Sequence, residues 1–432
     1  DLIVSANGKN LSGGRGDWTG QAYIFYGTAN GFQSMTSADA NITFNGTSPS
    51  YFAGRLALAD LNYDGYKDLI VGAYGKNLSG GAVDWVGQVN IFYRSSGTFR
   101  SYTAAEANVT INGTSPGLFG HNILVQDLNN DGYPDLIISA PYQNLSGGNY
   151  DSRGQVYIFY SSSDGFHAST AAQANITLNG TSPSLFGESL LAEDINNDSY
   201  IDLVVGARMK NLSGGAGDRT GQIYIFYGSS DGMHSYTAAE ANVTINGTAV
   251  GRDFGNTIIS ANIFNYGIND IIVGSIGGAL GTYTGRVHIL SLNLAPVLSS
   301  VPNQSWIEDT SITINLSQYI SDVNSDNPNI TWTSSADISV SVDESTNVMT
   351  LTPNTNWYGT EYIVFYANDT FNGLVASNNI TLTVSNTADC GDAACDASET
   401  CTSCSADCGA CAATPGSSSE TIAQSGYTFA EI

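Results

Sequence analysis

Basic residues are scarce in this 432-residue chain: 13 Lys and Arg stand against 39 Asp and Glu, a formal net charge of −26. A surface so poor in cations excludes nucleic acid as a natural partner. The imbalance comes from missing Lys and Arg rather than from surplus carboxylates, so neither a disordered acidic tail nor a generally acidified surface is indicated. Charged residues make up only 12% of the chain, about half of the usual level. Surface polarity must therefore come from Asn, Ser and Thr. Cysteine is absent over most of the length, since all six lie between Cys390 and Cys411. No apolar run approaches the roughly 18 residues of a membrane span, and no charged-then-apolar leader is present, so a soluble chain without a transmembrane segment is expected. What is abundant is 48 Gly and 24 Tyr, which predicts a turn-rich, strand-rich body with few helices. The length allows two or three domains.

A repeat dominates the first two-thirds. Asp1, Asp68, Asp135, Asp202 and Asp270 open the runs DLIVSA, DLIVGA, DLIISA, DLVVGA and DIIVGS, at spacings of 67, 67, 67 and 68 residues. Further alternating runs such as FAGRLALA, GQVNIFY and ANVTING, separated by Gly, Asn and Asp, bring each repeat to four strands. Four strands per repeat is the content of a propeller blade. TSADAN, TAAEAN and TAAQAN are too short for more than one helical turn. The sequence opens at the second strand of a repeat, and the fifth repeat stops after its third, at GRVHILSL.

Three repeats carry oxygen-bearing side chains at alternate positions of a short loop: Asp60, Asn62, Asp64, Asp68; Asp127, Asn129, Asp131, Asp135; and Asp194, Asn196, Asp198, Asp202. Such donors suit a hard cation, and Ca²⁺ is the expected cofactor, with the carbonyls of Tyr66, Tyr133 and Tyr200 at the seventh position. A distal bidentate Glu is missing, so affinity should be on the order of 10⁻⁴ to 10⁻³ M, adequate only outside cells. The alternative is an Asp/Asn turn with no ion. In the third loop Ser199 replaces the sharp-turn glycine, and in the fifth repeat Phe264 and Tyr266 stand where ligands should be, so that repeat should bind none. With YFAG, LFG, LFG and DFG opening successive repeats, DLNYDGYKDLIVGA and DLNNDGYPDLIISAP resemble the FG-GAP repeat of integrin alpha-subunit β-propellers. The resemblance covers about residues 1 to 292 and implies an all-β propeller of about five visible four-stranded blades. The repeats are longer than that family's, and five are visible where it generally has seven.

Eighteen Asn-X-Ser/Thr sequons point to a secreted or surface protein. Glycan is expected at Asn10, Asn41, Asn45, Asn77, Asn108, Asn112, Asn144, Asn175, Asn179, Asn211, Asn242 and Asn246, and farther on at Asn303, Asn315, Asn329, Asn368 and Asn379. Asn197, inside a cation loop, should stay bare. Asn41, Thr43 and Asn45 alternate with Ile42 and Phe44, which places the three polar residues on the solvent face of one strand. Chance sequons multiplied by duplication are the alternative.

The first four repeats also hold NLSGG followed by Asp17, Asp84, Asp151 or Asp218. Beside Asp17 this spells Arg15, Gly16, Asp17, a string some integrins recognise, but the next repeats read Ala82, Val83, Asp84 and Asn149, Tyr150, Asp151. Only the Asp is a repeat feature, expected to bind loop backbone. Catalysis has little support, because none of His121, His167, His234 and His288 neighbours a plausible nucleophile or a second His at ligand spacing.

From about Leu294 the period is lost, and alternating runs at Ile312 to Leu316, Ile338 to Val342, Tyr362 to Tyr366 and Ile380 to Val384 predict about seven strands over 294–388. The segment resembles the cadherin-like or immunoglobulin-like β-sandwiches of archaeal and bacterial surface proteins. Residues 389–411 hold Cys390, Cys395, Cys401, Cys404, Cys408 and Cys411 without a His. They read as a small disulfide module, with zinc at the Cys401 and Cys404 pair as the alternative. The string resembles short Cys-rich repeats of microbial surface proteins. Residues 412–432 form a linker and an alternating run, SGYTFAEI, expected to act as a donor strand. The leading expectation is thus a non-catalytic, extracellular or cell-surface, Ca²⁺-binding glycoprotein for structure or adhesion. It would assemble head to tail into a filament or lattice, or bind a surface partner. A carbohydrate-binding module is the alternative, with Trp18 and Trp85 in matching loops to stack on sugars, although Ser152 and Arg219 replace them later. An enzyme is a third class, since FG-GAP propellers accompany some lipases and lyases.

Overall fold

The computed structural model describes residues 1–386 apart from 12, 15–17, 30, 79–83, 148–150, 164, 168, 215–216, 264–268, 278–284, 291–295, 323–328 and 369–373. The Cys-rich module and the terminal run lie outside the described residues. The chain divides into two compact units, Asp1–Leu292 and Asn293–Ile432.

In the N-terminal unit the repeats fold as five sheets in chain order. The first holds β1 (Leu2–Ala6), β2 (Gln21–Phe25) and β3 (Ile42–Asn45), and the second holds β4 (Arg55–Ala59), β5 (Asp68–Ala73) and β6 (Gln88–Phe92). β7 (Tyr102–Thr103) leaves the second repeat to pair in parallel with β3, while β8 (Val109–Asn112) completes the second sheet. The third is β9 (Ile123–Gln126), β10 (Asp135–Ala140), β11 (Gln155–Phe159) and β12 (Ile176–Asn179). The fourth is β13 (Ser189–Glu193), β14 (Asp202–Ala207) and β15 (Gln222–Phe226), closed by β17 (Val243–Asn246) after β16 (Tyr236–Thr237) has paired with β12. β18 (Thr257–Ala261), β19 (Asp270–Ser275) and β20 (Arg286–Leu290) form the fifth. The TSADAN-type segments are single 3₁₀ turns, such as Ala104–Glu106, whose Glu106 and Thr103 close a capping box.

Every residue of β5, β10 and β14 is buried, because these central strands are covered on both faces. Successive side chains of one strand therefore serve two different cores. Ile24 and Phe44 of the first sheet pack with Leu69, Val71 and Phe92 of the second. Ile70 and Ile91, from the other face of the second, pack with Leu136, Ile138 and Phe159 of the third. The pattern repeats with Ile137 and Ile158 against Leu203, Val205 and Phe226, and with Val204 and Ile225 against Ile271 and Val273. Each such side chain contributes about 1.5–3 kcal/mol by leaving water, and the inner strands follow one another, β4 against β9, β9 against β13 and β13 against β18. The all-β arrangement with almost no helix is consistent with an FG-GAP β-propeller-like fold.

Glycine at one position permits this close stacking. At Gly154 (φ +84°) a Cβ would lie 2.1 Å from the carbonyl oxygen of Phe186, the aromatic residue that opens the next repeat. Gly20, Gly87 and Gly221 make the same approach to Phe52, Phe119 and Phe254.

The C-terminal unit is also all-β, but it differs from the expected sandwich of about seven strands. Eleven short strands are described: β21 (Val297–Leu298), β22 (Gln304–Ile307), β23 (Ile312–Asn315), β24 (Ile320–Ser321), β25 (Asn329–Trp332), β26 (Ile338–Asp343), β27 (Val348–Pro353), β28 (Gly359–Ile363), β29 (Phe365–Asn368), β30 (Leu374–Ala376) and β31 (Ile380–Ser385). They group into four small sheets, β21-β24, β22-β31-β28, β23-β27-β26 and β25-β29-β30. The run Tyr362–Tyr366 is one reason: its ladder breaks at Val364, whose N–H goes to the Thr333 hydroxyl, so β28 and β29 enter different sheets. Trp306, Leu316, Met349, Phe365 and Leu382 share one core there.

One buried residue breaks the repeat. Asn90 is 1% exposed where Tyr23, Tyr157 and Tyr224 stand in three other sheets, and among the described residues neither of its side-chain polar atoms has a hydrogen-bond partner. Leaving such atoms unpaired costs about 1–3 kcal/mol. Asn90→Val should therefore raise the stability of the N-terminal unit by about 1 kcal/mol or more, read as a higher melting temperature in thermal denaturation.

Candidate functional site

The loops from β4 to β5, β9 to β10 and β13 to β14 share one hydrogen-bond pattern, written by their own side chains. In the first, Asp60 accepts the N–H groups of Asp64 (3.1 Å) and Gly65 (2.9 Å), Asn62 accepts Asp64 N–H (3.2 Å), and Asp64 accepts Tyr66 N–H (2.9 Å). Asp127, Asn129 and Asp131 repeat these contacts with Asp131, Gly132 and Tyr133. Asp194, Asn196 and Asp198 do so with Asp198, Ser199 and Tyr200. Ser199 takes the left-handed turn (φ +74°) that Gly65 and Gly132 adopt at +87° and +88°, so loss of the glycine has not changed the loop's path.

The ninth residue has a second task. Asp68, Asp135 and Asp202 are fully buried. One oxygen of each accepts the N–H of the loop's second residue, Leu61, Leu128 or Ile195, at 2.9 Å. The other accepts an N–H just after the third strand, from Arg94, Ser161 or Gly228, at 2.8–3.0 Å. Burial pushes Asp68 up to about 6 and Asp135 to about 7, against the pull of these backbone bonds, and the neighbouring carboxylates Asp64 with Asp60, or Asp131 with Asp127, add to the rise. Asp202 is raised for the same reasons.

The fifth sheet keeps the contact, Ile263 N–H to Asp270 at 2.9 Å, although its ligand positions Phe264 and Tyr266 lie outside the described residues. Asp1 likewise accepts Gly27 N–H at 3.0 Å. Sequence reasoning treated this aspartate only as a ligand. Its recurrence in the fifth repeat, where other ligands are lost, was the available signal of a structural role.

The donor set fits a hard divalent cation: each loop offers side-chain and backbone oxygens, one exposed and one half-buried carboxylate stand beside a buried one, and like charge accumulates there, with Lys67 of the first loop the one basic side chain in the three motifs. Among the described residues, no three His, Cys, Asp or Glu side chains form an assembled metal cluster. Two of the expected donors are an Asn and a backbone carbonyl, and the buried carboxylate is already bonded on both oxygens.

In the long loops the repeat aspartate does hold backbone. Asp84 accepts Leu78 and Val86 N–H, Asp151 accepts Ser146 N–H at 2.9 Å, and Asp218 accepts Leu212 N–H at 2.9 Å and Thr220 N–H at 2.8 Å. Side-chain hydrogen bonds from Ser213 and Thr220 hold Asp218 well below the usual carboxylate range. Arg15, Gly16 and Asp17 lie outside the described residues. Trp18 and Trp85 are half exposed, but Trp18 stacks on Tyr51 at 5.6 Å and Tyr51 on Tyr74 at 5.3 Å, so one Trp18 face is occupied.

Asn41, Asn108, Asn175 and Asn242 are exposed, and the carbonyl oxygen of each side chain accepts the N–H of Tyr26, Tyr93, Tyr160 or Tyr227. Asn45 differs from the expectation of a solvent face. It is half-buried and its side-chain oxygen accepts from Gln21, as Asn112, Asn179 and Asn246 accept from Gln88, Gln155 and Gln222, because each Asn faces that Gln in the strand register. His167 and His234 are exposed, and His288 contacts the Ser275 hydroxyl at 3.2 Å and Phe254.

Two stretches, 119–159 and 186–226, match the FG-GAP repeat family. They start at Phe119 and Phe186 and include the Asp127 and Asp194 loops. Phosphatidylinositol-glycan-specific phospholipase D of Rattus norvegicus is 31% identical over 226 residues, 51% of this chain and 26% of that protein. Integrin alpha-6 of Gallus gallus is 32% identical over 166 residues, 38% of this chain and 14% of that protein. Human integrin alpha-IIb is 36% identical over 165 residues, 37% and 15% of the two. The chain thus spans at most 26% of the length of these relatives. These likenesses support an FG-GAP β-propeller-like domain. A titin Ig tandem aligns with a TM-score of 0.16 and 9% identity, over 39% of this chain and 88% of its own, too weak to bear on the fold.

His121 sits against Tyr74 (5.6 Å), and burial, then the charges of Arg55 and Arg208, depress it to about 4. An unfolded histidine titrates near 6.5, so its neutral form stabilises the fold fully above about pH 6.5, and that stability is lost as pH falls toward 4. His121→Asn, which installs the residue found at Asn256 in the fifth repeat, should remove about 1–3 kcal/mol of acid sensitivity, measured as the difference between the two proteins' melting temperatures from pH 7 to pH 4.

Proposed function

We propose that this chain is an extracellular, cell-surface structural or adhesion glycoprotein whose propeller-like unit is stiffened by Ca²⁺. The observation that carries the reading is the threefold recurrence of one self-bonded, all-oxygen loop above a buried carboxylate, within sheets that match FG-GAP repeats in two places. Asp60, Asn62, Asp64, the Tyr66 carbonyl and Asp68 would hold one ion, and the corresponding residues of the Asp127 and Asp194 loops two more. Bound Ca²⁺ supplies positive charge against crowded carboxylates. The chain's own part is to keep the turn closed and to hold the ninth aspartate between loop and strand. Glycans on the exposed Asn41, Asn108, Asn175 and Asn242, and on the NLSGG loops, suit a surface setting. The integrins and the phospholipase D above are named for whole proteins of which this chain spans a minor part, and no catalytic role is assigned here. Carbohydrate binding is the weaker alternative, since Trp18 already stacks on Tyr51.

With sites of about 10⁻⁴ M and about 1 mM free Ca²⁺, linkage adds about 1.4 kcal/mol per site. Chelation should therefore lower the melting temperature of the N-terminal unit by several degrees, and Asp131→Ala should shrink that shift by about a third. A transition unmoved by chelator contradicts the calcium reading.

A second reading, self-association, draws on two open surfaces. β1 has no neighbour beyond β2 among the described residues, and Leu2 and Val4 on it are 45% and 39% exposed. On the fifth sheet Ile259, Val287 and Ile289 are 53%, 71% and 44% exposed, on the face that in earlier sheets meets the next sheet. Strand donation from 426–432 of a second copy would satisfy such an edge and, being heterologous, would extend into a filament. Deleting 426–432 should leave folded monomer and abolish assembly in electron micrographs. Intact fibres from the shortened chain would refute it.

A further inference from the structure

The three cation loops differ at their fourth position, which is Tyr63 in the first and Asn130 and Asn197 in the others. All three are left-handed, at φ +59°, +61° and +60°. Asparagine enters that region readily, whereas a bulky aromatic residue seldom does. The tyrosine therefore needs contacts that hold it, and these come from the neighbouring loop. Its hydroxyl donates to the Gly132 carbonyl, and its ring centroid lies 4.6 Å from that of Tyr133, with the planes at 59°. Gly132 and Tyr133 are the sixth and seventh positions of the Asp127 loop, the tight turn and the residue whose carbonyl is the expected ligand. The same peptide unit donates Tyr133 N–H to Asp131 at 2.9 Å. A donor on the oxygen of a peptide strengthens the bond made by its N–H, so Tyr63 steadies both the Tyr133 peptide and the Asp131 carboxylate. Among the described contacts, Asn130 makes no equivalent bridge to Ser199 or Tyr200.

We infer that Tyr63 is a positioning residue that couples the Asp60 and Asp127 loops, so that a cation in either favours a cation in the other, while the Asp194 loop binds independently. The inference rests on the calcium reading above. A cation in the Asp60 loop fixes the backbone at Tyr63 and so keeps its phenol on Gly132. By reciprocity, order in the Asp127 loop holds Tyr63 in its left-handed state and favours binding at Asp60 by the same factor.

The test is calorimetric titration of CaCl₂ into the metal-free full chain, for the wild type, Tyr63→Asn, Tyr63→Phe and Asp194→Ala. The wild type should bind three ions, two of them in a cooperative phase. Tyr63→Asn, which copies the other two loops and so keeps the fold, should still bind three ions but lose the cooperative phase, with the tighter step of the pair weakened about 5-fold or more. Tyr63→Phe, which keeps the ring and loses the hydroxyl, should weaken the same phase, and Asp194→Ala should leave it intact with one ion fewer. Three independent ions in the wild type, or cooperativity unchanged in Tyr63→Asn, overturns the coupling and leaves the calcium reading standing. Absence of any binding heat, with the wild-type melting temperature also insensitive to chelator, overturns the calcium reading and the coupling with it.

Discussion

The N-terminal unit depends on a buried carboxylate at the start of each central strand. Asp68, Asp135 and Asp202 tie the preceding loop to the end of the third strand through two backbone N–H groups, and among the described residues the buried Asp270 keeps the loop contact and the exposed Asp1 the strand-end contact. In β5, β10 and β14 that bond anchors the loop in front to a strand buried on both faces. The bond confines a negative charge in a site that resists it, as the raised Asp68 and Asp135 show. A proton or a cation relieves that charge. In three sheets the loop places further oxygens near it, which on the calcium reading proposed above would favour the cation. In the fifth the aspartate remains as a structural tie.

Packing between sheets supplies the other half of the account. Because one strand feeds two cores, each sheet is a donor of one face and an acceptor on the other. Glycines such as Gly154 bring adjacent backbones together, and the aromatic residue opening each repeat occupies the gap. The loops sit at the ends of strands thus held, so neighbouring loops such as those containing Tyr63 and Tyr133 come into contact. Charge crowding, inter-sheet packing and loop contact are consequences of one repeat stacked on itself.

Much of this was legible in the sequence. The 67-residue period, the central DLIVGA-type strands, the 3₁₀ turns and the loop donors all follow from local pattern, where side-chain alternation and turn chemistry decide the outcome. Contacts between repeats were not legible. The parallel pairing of Tyr102–Thr103 with the preceding sheet and the reach of Tyr63 to Gly132 join residues that no period or propensity associates. In the C-terminal unit the break at Val364 was hidden because alternation continues across it while the hydrogen-bond partner changes. The double role of Asp68 was obscured by its fit to a ligand motif, which accounts for the residue type without requiring its burial.

The most direct test of the central claim is the location of bound ions by anomalous diffraction from crystals grown in millimolar CaCl₂. Three peaks are expected, one inside each of the loops beginning at Asp60, Asp127 and Asp194, with none beside Asp270. Loops empty of density at that concentration, or a peak in the fifth sheet, would contradict the account.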